Sequence, residues 1–265
     1  MDNLQNDNTN TSSIQFVSEL LKSNKWPPPD IDDWIKDRPH WLLPENIERI
    51  DNTIKTIFEN TEGKKCLDVG FGNCLVLLRE LKIFPCCSGL YISLKNALEK
   101  GVPESILNKG NCYEIPYKSE EFDLVSAWGL LHLLPDFQPF FSEAFRVLKK
   151  GGYLYTDGDK SLYIVKLIRK IKMYLFKFLG KKYKDRYELW RDVLNQRDDF
   201  HREGIEYIEL EKKLKEIGFS KIILKPRFSV KPEYKTNLVY GMLTILLPTF
   251  KFKFSYSHIE ILAIK

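Results

Sequence analysis

The residues whose types and spacing suggest chemistry most clearly form a short glycine loop, Asp68-Val69-Gly70-Phe71-Gly72-Asn73-Cys74. An apolar stretch typical of a buried strand precedes this loop, and a stretch with helical spacing follows it. Glycines at such a turn let the backbone approach a ligand closely, and the first turn of the helix offers unpaired N–H groups. The loop therefore predicts a ligand site at the carboxyl end of the strand, where open α/β sheets bind their ligands.

The spacing of the glycines excludes two common kinds of nucleotide site. A dinucleotide-binding loop, G-x-G-x-x-G, would need glycine at position 75, where the chain has Leu75. A phosphate-binding P-loop would need the sequence G-K-[ST], which is absent here. What remains is Asp68, followed by Gly70 and Gly72. The alternative to a ligand-binding role for Asp68 is that its charge only interacts with the dipole of the following helix.

His132 is the best-placed candidate for a general base, because the loop that carries it leaves the same edge of the predicted sheet. The alternative is a histidine that packs against, or caps, the start of the next helix. Asp157 and Asp159 follow the next predicted strand, where they could face a substrate. We expect these two residues to cap the helix that comes after them.

Strands and helices alternate along the chain from position 64 onward. Apolar runs predict strands at residues 64–70, 86–93, 106–109, 121–128, 151–158, 221–226 and 257–265. Helical spacing predicts helices between most of them, including one at 136–150. Alternation at this spacing indicates an α/β fold with a doubly wound, mostly parallel sheet covered on both faces.

The chain divides into an N-terminal region and one large domain. Residues 1–44 are predicted to be a disordered polar tail followed by a helical strap rich in Trp and Pro, in which five prolines exclude a long helix. Residues 45–265 are predicted to form the α/β domain, with a helical insertion at 160–204 after the fifth strand. A helix is expected from about residue 45 to residue 60.

Composition restricts the location and the kinds of site. The five cysteines include no C-x-x-C pair, so they resemble neither a disulfide framework nor a zinc site, and we expect no metal. The N-terminus lacks a signal peptide, and no run of about 18 apolar residues occurs. A cytoplasmic location is the default prediction, and the net charge of +5 is too modest to indicate a nucleic-acid partner.

The glycine loop has the form acidic-x-G-x-G, and further motifs follow it in order. These are Ile115-Pro116, Phe122-Asp123-Leu124-Val125, Leu131-His132-Leu133-Leu134-Pro135-Asp136, Arg146-Val147-Leu148-Lys149-Lys150-Gly151-Gly152, and a late element from Leu214 to Phe219. Together they resemble the class I S-adenosylmethionine-dependent methyltransferases, particularly the group that acts on small molecules and lipids. The resemblance implies a Rossmann-like sheet with an antiparallel C-terminal strand, S-adenosylmethionine as cofactor, and methyltransferase activity.

The resemblance also implies which residues bind the cofactor. Asp68 would position the methionine amino group, and the turn Gly70-Phe71-Gly72 would pass under the methionine and ribose. Asn111, where the family usually has aspartate, would face the adenine amino group, and Cys112 would offer a neighbouring backbone contact. Trp128 would lie near the sulfonium centre, unless it is simply a core aromatic residue.

Two positions depart from the family pattern. Cys74 replaces the third glycine, and Tyr91 stands where the family has an acidic residue that accepts both ribose hydroxyls. A phenol cannot replace a bidentate carboxylate, and losing such a charged hydrogen bond costs about 1.5–3 kcal/mol. A non-catalytic or regulatory protein that retains the fold is therefore one alternative to an enzyme.

The predicted insertion at 160–204 indicates which kind of molecule accepts the methyl group. Residues 162–179 read as a helix with one apolar face and one face of lysines and arginines. Such a helix predicts a lid over the crevice, or peripheral contact with an anionic membrane, and the two are compatible. We expect a small-molecule or lipid-like acceptor. The alternative is an RNA methyltransferase that uses the basic helix.

Overall fold

The computed structural model describes residues 44–70, 74–91, 95–160, 162, 204–227 and 258–265. The helices are α1 (Pro44–Glu59), α2 (Leu75–Glu80), α3 (Lys95–Glu99), α4 (Gln138–Val147) and α5 (Tyr207–Ile217), with 3₁₀ turns at Glu104–Ile106 and Leu131–Leu133. The strands are β1 (Lys65–Val69), β2 (Cys86–Tyr91), β3 (Leu107–Lys109), β4 (Phe122–Trp128), β5 (Leu148–Lys160), β6 (Lys221–Arg227) and β7 (His258–Ile264).

The strands form one sheet in the order β3-β2-β1-β4-β5-β7-β6. Strands β1 to β5 are parallel, whereas β7 runs antiparallel to both of its neighbours. The predicted α/β fold, mostly parallel with an antiparallel C-terminal strand, is confirmed. The order reverses between β1 and β4, which is the place where open α/β sheets bind their ligands, at the carboxyl ends of the strands.

Two apolar clusters fill the space between the sheet and its helices. Strand β1 contributes Leu67 and Val69 to one cluster and Cys66 to the other, because successive strand side chains point to opposite faces. On the Cys66 side, α1 buries Ile50 and Ile54, which lie one helical turn apart. Each fully buried isoleucine of this kind stabilises the fold by about 1.5–3 kcal/mol.

The boundary between α4 and β5 differs from the prediction. The sequence pattern extends the fourth helix through Lys150, but α4 ends at Val147 and β5 begins at Leu148. Leu148 is fully buried and pairs with Phe122 of β4. Tertiary pairing with the neighbouring strand therefore overrides a helical pattern that is plausible locally.

The predicted N-terminal tail and strap lie outside the described residues, as does nearly all of the insertion at 160–204. The domain boundaries at 1–44 and 45–265 therefore stay predictions. In the described part of the chain, no helix combines the length and apolarity that crossing a membrane would require.

The start of β1 is held by Asp123 of β4. One carboxylate oxygen accepts a hydrogen bond from the Gly63 N–H at 3.0 Å, and the other accepts one from the Lys65 N–H at 2.9 Å. The ammonium group of Lys149 lies 2.9 Å from the second oxygen. Asp123 is buried, so these bonds form where water competes little for the same groups.

We expect Asp123→Ala to lower the free energy of unfolding by about 2–4 kcal/mol, because two backbone N–H groups lose their acceptor. Chemical denaturation measures this change. Glu216→Ala is the matched control, since the Glu216 side chain is 54% exposed and, within the described part of the chain, forms an ion pair only with Lys212, at 3.6 Å. The control should change stability by less than about 1 kcal/mol. Equal effects of the two variants would contradict the anchoring role of Asp123.

Candidate functional site

Asp68 lies near the carboxyl end of β1, where the strand order reverses between β1 and β4. Its strand neighbours in register are Gly89 on β2 and Ser126 on β4. The side chain is fully buried, yet neither carboxylate oxygen has a hydrogen-bond partner of normal geometry among the described residues. A buried charge without a partner is costly, so this arrangement indicates a group that pairs with a ligand or holds a proton.

Burial raises the pKa of Asp68 to about 7, and the nearby Ser126 hydroxyl and Leu77 N–H oppose that increase only in part. Burial therefore favours the protonated form of this carboxyl group more than it would for an exposed aspartate. A positively charged ligand group placed beside Asp68 would lower this pKa and favour the ionised form.

Gly70 makes the turn that leaves β1. Its φ of +74° lies in the left-handed region, and an added Cβ would stand 2.9 Å from a methyl carbon of Leu130. The Gly70 N–H donates to the carbonyl of Leu90 at 2.8 Å. Both the backbone conformation and the close approach of the loop after β4 therefore require glycine. The next two predicted loop residues, Phe71 and Gly72, lie outside the described residues.

Cys74 takes the place of the family's third glycine and keeps a glycine-like conformation. Its φ of 65° is left-handed, and it precedes α2 as the N-cap without a side-chain hydrogen bond to the helix. The side chain is buried. The backbone is therefore strained at this turn, because a residue with a side chain disfavours positive φ. The chain nevertheless continues from Cys74 into α2.

Tyr91, Asn111 and Cys112, the other predicted cofactor residues, lie at or after the ends of β2 and β3, which are the next strands in the sheet beyond β1. Tyr91 is the last residue of β2 and is buried in the apolar cluster on the Cys66 side. Asn111 follows β3, and its side-chain oxygen accepts the Tyr113 N–H at 2.9 Å. Cys112 is half-buried against the other cluster. The carboxyl ends of neighbouring parallel strands thus bring these residues to one edge of the sheet.

Trp128 ends β4 beside a polar cluster that the sequence pattern did not indicate. The Arg49 guanidinium of α1 stands 5.5 Å from the centre of the Trp128 ring. The same group contacts Asp157 at 2.8 Å and Glu260 at 3.1 Å. These ion pairs fix α1 against the ends of β4, β5 and β7. No sequence signal could have joined Arg49 to residues more than 100 positions away.

His132 lies in the 3₁₀ turn after β4 and contacts a carboxylate. Its Nδ1 is 2.8 Å from Oδ1 of Asp159, and its backbone N–H donates to the same oxygen at 3.0 Å. Because an ionised carboxylate only accepts hydrogen bonds, Nδ1 carries the proton and Nε2 is left as an acceptor. Asp159 is buried, whereas the His132 side chain is 22% exposed.

The two aspartates of β5 do not have the position expected from sequence. Asp157 and Asp159 lie within β5, not after it, and each carboxylate contacts a side chain from another element. The prediction that they cap a following helix was wrong because β5 continues to Lys160, paired with His258 of β7. The register of β5 against β7 shifts between Thr156 and Asp159, with Gly158 at a φ of 90°, so the alternation of side chains is broken between the two aspartates.

The comparisons with known proteins agree with this architecture. Residues 67–156 match the methyltransferase domain family. A 50-residue segment is 42% identical to a phthiotriol/phenolphthiotriol dimycocerosates methyltransferase from Mycobacterium ulcerans (strain Agy99), and this segment is 18% of each chain. The match thus spans less than a fifth of that relative's length.

Solved structures show the same fold. One neighbour is an S-adenosylmethionine-dependent methyltransferase from Archaeoglobus fulgidus, 13% identical, with a TM-score of 0.52 over 83% of this chain and 94% of that one. Another is phosphoethanolamine N-methyltransferase 2 from Haemonchus contortus, 18% identical, with a TM-score of 0.50 over 91% of this chain and 61% of that one. Residues 67–156 thus match a methyltransferase domain, and the chain shares the fold of solved S-adenosylmethionine-dependent methyltransferases.

Proposed function

We propose that this chain transfers the methyl group of S-adenosylmethionine to a small-molecule or lipid-like acceptor. The observation that carries the proposal is the buried Asp68 carboxyl group, which has no hydrogen-bond partner among the described residues and lies beneath a turn that requires glycine. A ligand with an ammonium group next to an apolar and aromatic body would satisfy this carboxylate, and the amino acid end of S-adenosylmethionine has that chemistry.

The residues present fit this cofactor. When bound, it supplies a methyl group activated by a positively charged sulfur. Asp68 would hold the ammonium group, and the backbone of Gly70 would allow close passage of the ligand. Asn111 would face the adenine amino group, and its side-chain oxygen, which accepts the Tyr113 N–H, has a second lone pair for that donor. Trp128 would line the methyl-transfer region, with its ring beside Arg49.

His132 is the proposed general base for the acceptor. A hydroxyl or amine that accepts a methyl group loses its proton, and Nε2 of His132 is the ring nitrogen able to take it. Oδ1 of Asp159 accepts both the ring and the backbone N–H of His132 and so holds the ring in one orientation. The pair therefore favours an oxygen or nitrogen acceptor that carries a proton.

The lipid-like character of the acceptor is the finer part of the proposal. The name of the Mycobacterium ulcerans relative states an activity on phthiotriol-type lipids, and 42% identity over 50 residues supports a related acceptor class. The basic amphipathic helix predicted at 162–179 would suit an acceptor presented at an anionic membrane.

A second candidate is a regulatory protein that keeps the fold without turnover. Tyr91 favours it, because this residue ends β2 where an acidic side chain would accept the ribose hydroxyls. The phenol offers one hydroxyl, so the expected cofactor affinity is weaker by about ten- to a hundredfold.

The first prediction concerns cofactor binding. S-adenosylhomocysteine should bind to the full chain in isothermal titration calorimetry, and Asp68→Asn should weaken binding at least about tenfold by removing the charge that pairs with the ammonium group. Asp136→Asn is the matched control, because Asp136 pairs with Lys213 and should leave the affinity unchanged. Absence of binding to the wild-type chain at millimolar concentration would refute the proposed function.

The second prediction separates enzyme from regulatory protein. Tyr91→Asp should tighten S-adenosylhomocysteine binding about tenfold, since a carboxylate can accept both ribose hydroxyls. Tyr91→Phe serves as the control, because it retains the buried ring. If only Tyr91→Asp bound the ligand and the native chain did not, the regulatory candidate would be favoured.

The third prediction concerns turnover. We expect the chain to transfer tritiated methyl groups to a member of a panel of hydroxyl- and amine-bearing lipids and small molecules. The tritium in each acceptor is measured after solvent extraction. With any acceptor found, His132→Ala should reduce kcat by about a hundredfold or more while leaving the dissociation constant for S-adenosylhomocysteine within about twofold. Unchanged kcat in His132→Ala would remove His132 from the mechanism.

A further inference from the structure

The loop at 111–117 follows β3 and carries Asn111, the residue proposed to face the adenine amino group. Strand β3 is the edge strand of the described sheet, and its pairing with β2 covers only Leu107–Lys109. Within the loop, the backbone N–H groups of Glu114 and Tyr117 donate to carbonyls of the loop itself. The strand ladder therefore ends before the loop, and contacts from another element must fix its position.

Two side chains of α4 make these contacts. The carboxylate of Glu143 accepts the Ile115 N–H through Oε2 at 2.8 Å. The guanidinium of Arg146 donates through Nη2 to the Ile115 carbonyl at 2.8 Å and through Nη1 to the Tyr117 carbonyl at 2.9 Å. The helix thus occupies both backbone groups of Ile115 and one of Tyr117.

Glu143 and Arg146 also hold each other. They are three positions apart on α4, and the Arg146 guanidinium donates through Nε and Nη2 to the two carboxylate oxygens of Glu143, at 2.7 and 2.8 Å. The two side chains are only 20% and 35% exposed. Hydrogen bonds with a charged partner are about twice as strong as neutral ones, and a forked arginine can serve several acceptors at once, which the single ammonium group of a lysine cannot. The pair is therefore suited to hold a loop that the sheet does not pair.

The fixed loop sets the orientation of the Asn111 amide. Two residues before Ile115, the Tyr113 hydroxyl donates to the Asp136 carbonyl at 2.7 Å. The Tyr113 N–H donates to the side-chain oxygen of Asn111 at 2.9 Å. A reversed amide would place two N–H donors against each other, so Tyr113 determines which end of the Asn111 amide is the oxygen.

We propose that Glu143 and Arg146 are positioning residues that make the chain select adenine over a base with a carbonyl in place of the amino group. They act through the loop at 111–117 and the Asn111 amide oxygen, which accepts from an amino group and repels a carbonyl oxygen. The inference rests on the proposed function, since it takes S-adenosylmethionine as the cofactor and Asn111 as its adenine contact.

The experiment compares two ligands that differ at this position of the base. Calorimetric titration of the full chain gives the dissociation constants of S-adenosylhomocysteine and of S-inosylhomocysteine, in which a carbonyl replaces the amino group. The wild-type chain should bind the adenine form at least about tenfold more tightly, because the other form loses a hydrogen bond and brings two acceptors together. A wild-type preference below about threefold would overturn the inference.

Arg146→Gln should reduce this preference to about threefold or less, because the loop loses two backbone contacts. Asn111→Ala should reduce it equally, and the double variant should lose no more than either single variant, since both changes act through one amide. A general loss of stability would weaken both ligands alike and leave the ratio unchanged. The ratio therefore separates positioning from a merely structural role.

Two further variants sharpen the comparison. Arg79→Gln is the matched control, because it removes an arginine–carboxylate pair between α2 and α1, 2.9 Å from Asp51, without touching the loop. It should leave the preference for adenine unchanged. Glu143→Gln keeps an acceptor for the Ile115 N–H and should retain more of the preference than Glu143→Ala. Equal loss in Arg79→Gln and Arg146→Gln would contradict the assignment.

Hydrogen exchange tests the loop without any ligand. Mass spectrometry of peptides that span 111–117 reports the protection of its backbone N–H groups. Arg146→Gln should speed exchange in this loop by at least about tenfold and leave β1 and β4 unchanged, because the loop opens locally. The Arg79→Gln variant should exchange like the wild-type chain. Unchanged exchange of the loop in Arg146→Gln would overturn the positioning role.

The outcomes also distinguish this inference from the proposed function. Binding of S-adenosylhomocysteine with a preference for adenine that Arg146→Gln does not change would overturn the inference and leave the proposed function intact. Absence of binding of either ligand to the wild-type chain would overturn the proposed function and the selection of adenine together.

Discussion

The burial of the Asp68 carboxyl group without a protein cation is the constraint on which the arrangement of the site depends. A charge in such a place favours proton uptake or a positively charged ligand, and no described lysine or arginine supplies the counter-charge. The residues around Asp68 add no positive charge. Ser126 offers only a hydroxyl, Gly70 brings backbone without a side chain, and α2 contributes a second acid, Glu80. Under the proposed function, this arrangement prepares the site for the ammonium group of the cofactor.

The order of the strands converts this local constraint into a site. Because β1 and β4 are neighbours at the reversal of the sheet, Asp68 and Trp128 end at the same edge, and His132 follows in the next turn. Strand β5 then brings Asp159 to His132. The residues proposed to bind the cofactor and the acceptor therefore come from adjacent parallel strands, and α1 is fixed against these strands through Arg49.

Local patterns were sufficient to predict most of the fold. Apolar runs and glycine turns gave each described strand to within a few residues, because a strand buried on both faces must be apolar throughout. These patterns failed where hydrogen-bonded pairing between strands decided the secondary structure. The helix pattern through Lys150 was overridden by the pairing of Leu148 with Phe122, and Asp159 proved to lie inside a strand. The roles predicted for Tyr91, Asn111 and Cys112 remain predictions, since their placement at strand ends does not by itself show a ligand contact.

The sequence by itself determined the order of the elements, the glycine turn after Asp68 and the likeness to methyltransferases, because each depends on residues close together in the chain. Only the tertiary structure decided that no cation among the described residues pairs with Asp68, that Glu80 is buried on the same side of the sheet and that Asp159 holds His132. Asp68 and Glu80 are 12 positions apart, His132 and Asp159 are 27 positions apart, and the members of each pair lie on different elements. Their distances depend on strand order and on the face that each side chain takes, and neither is encoded in the spacing of a single motif.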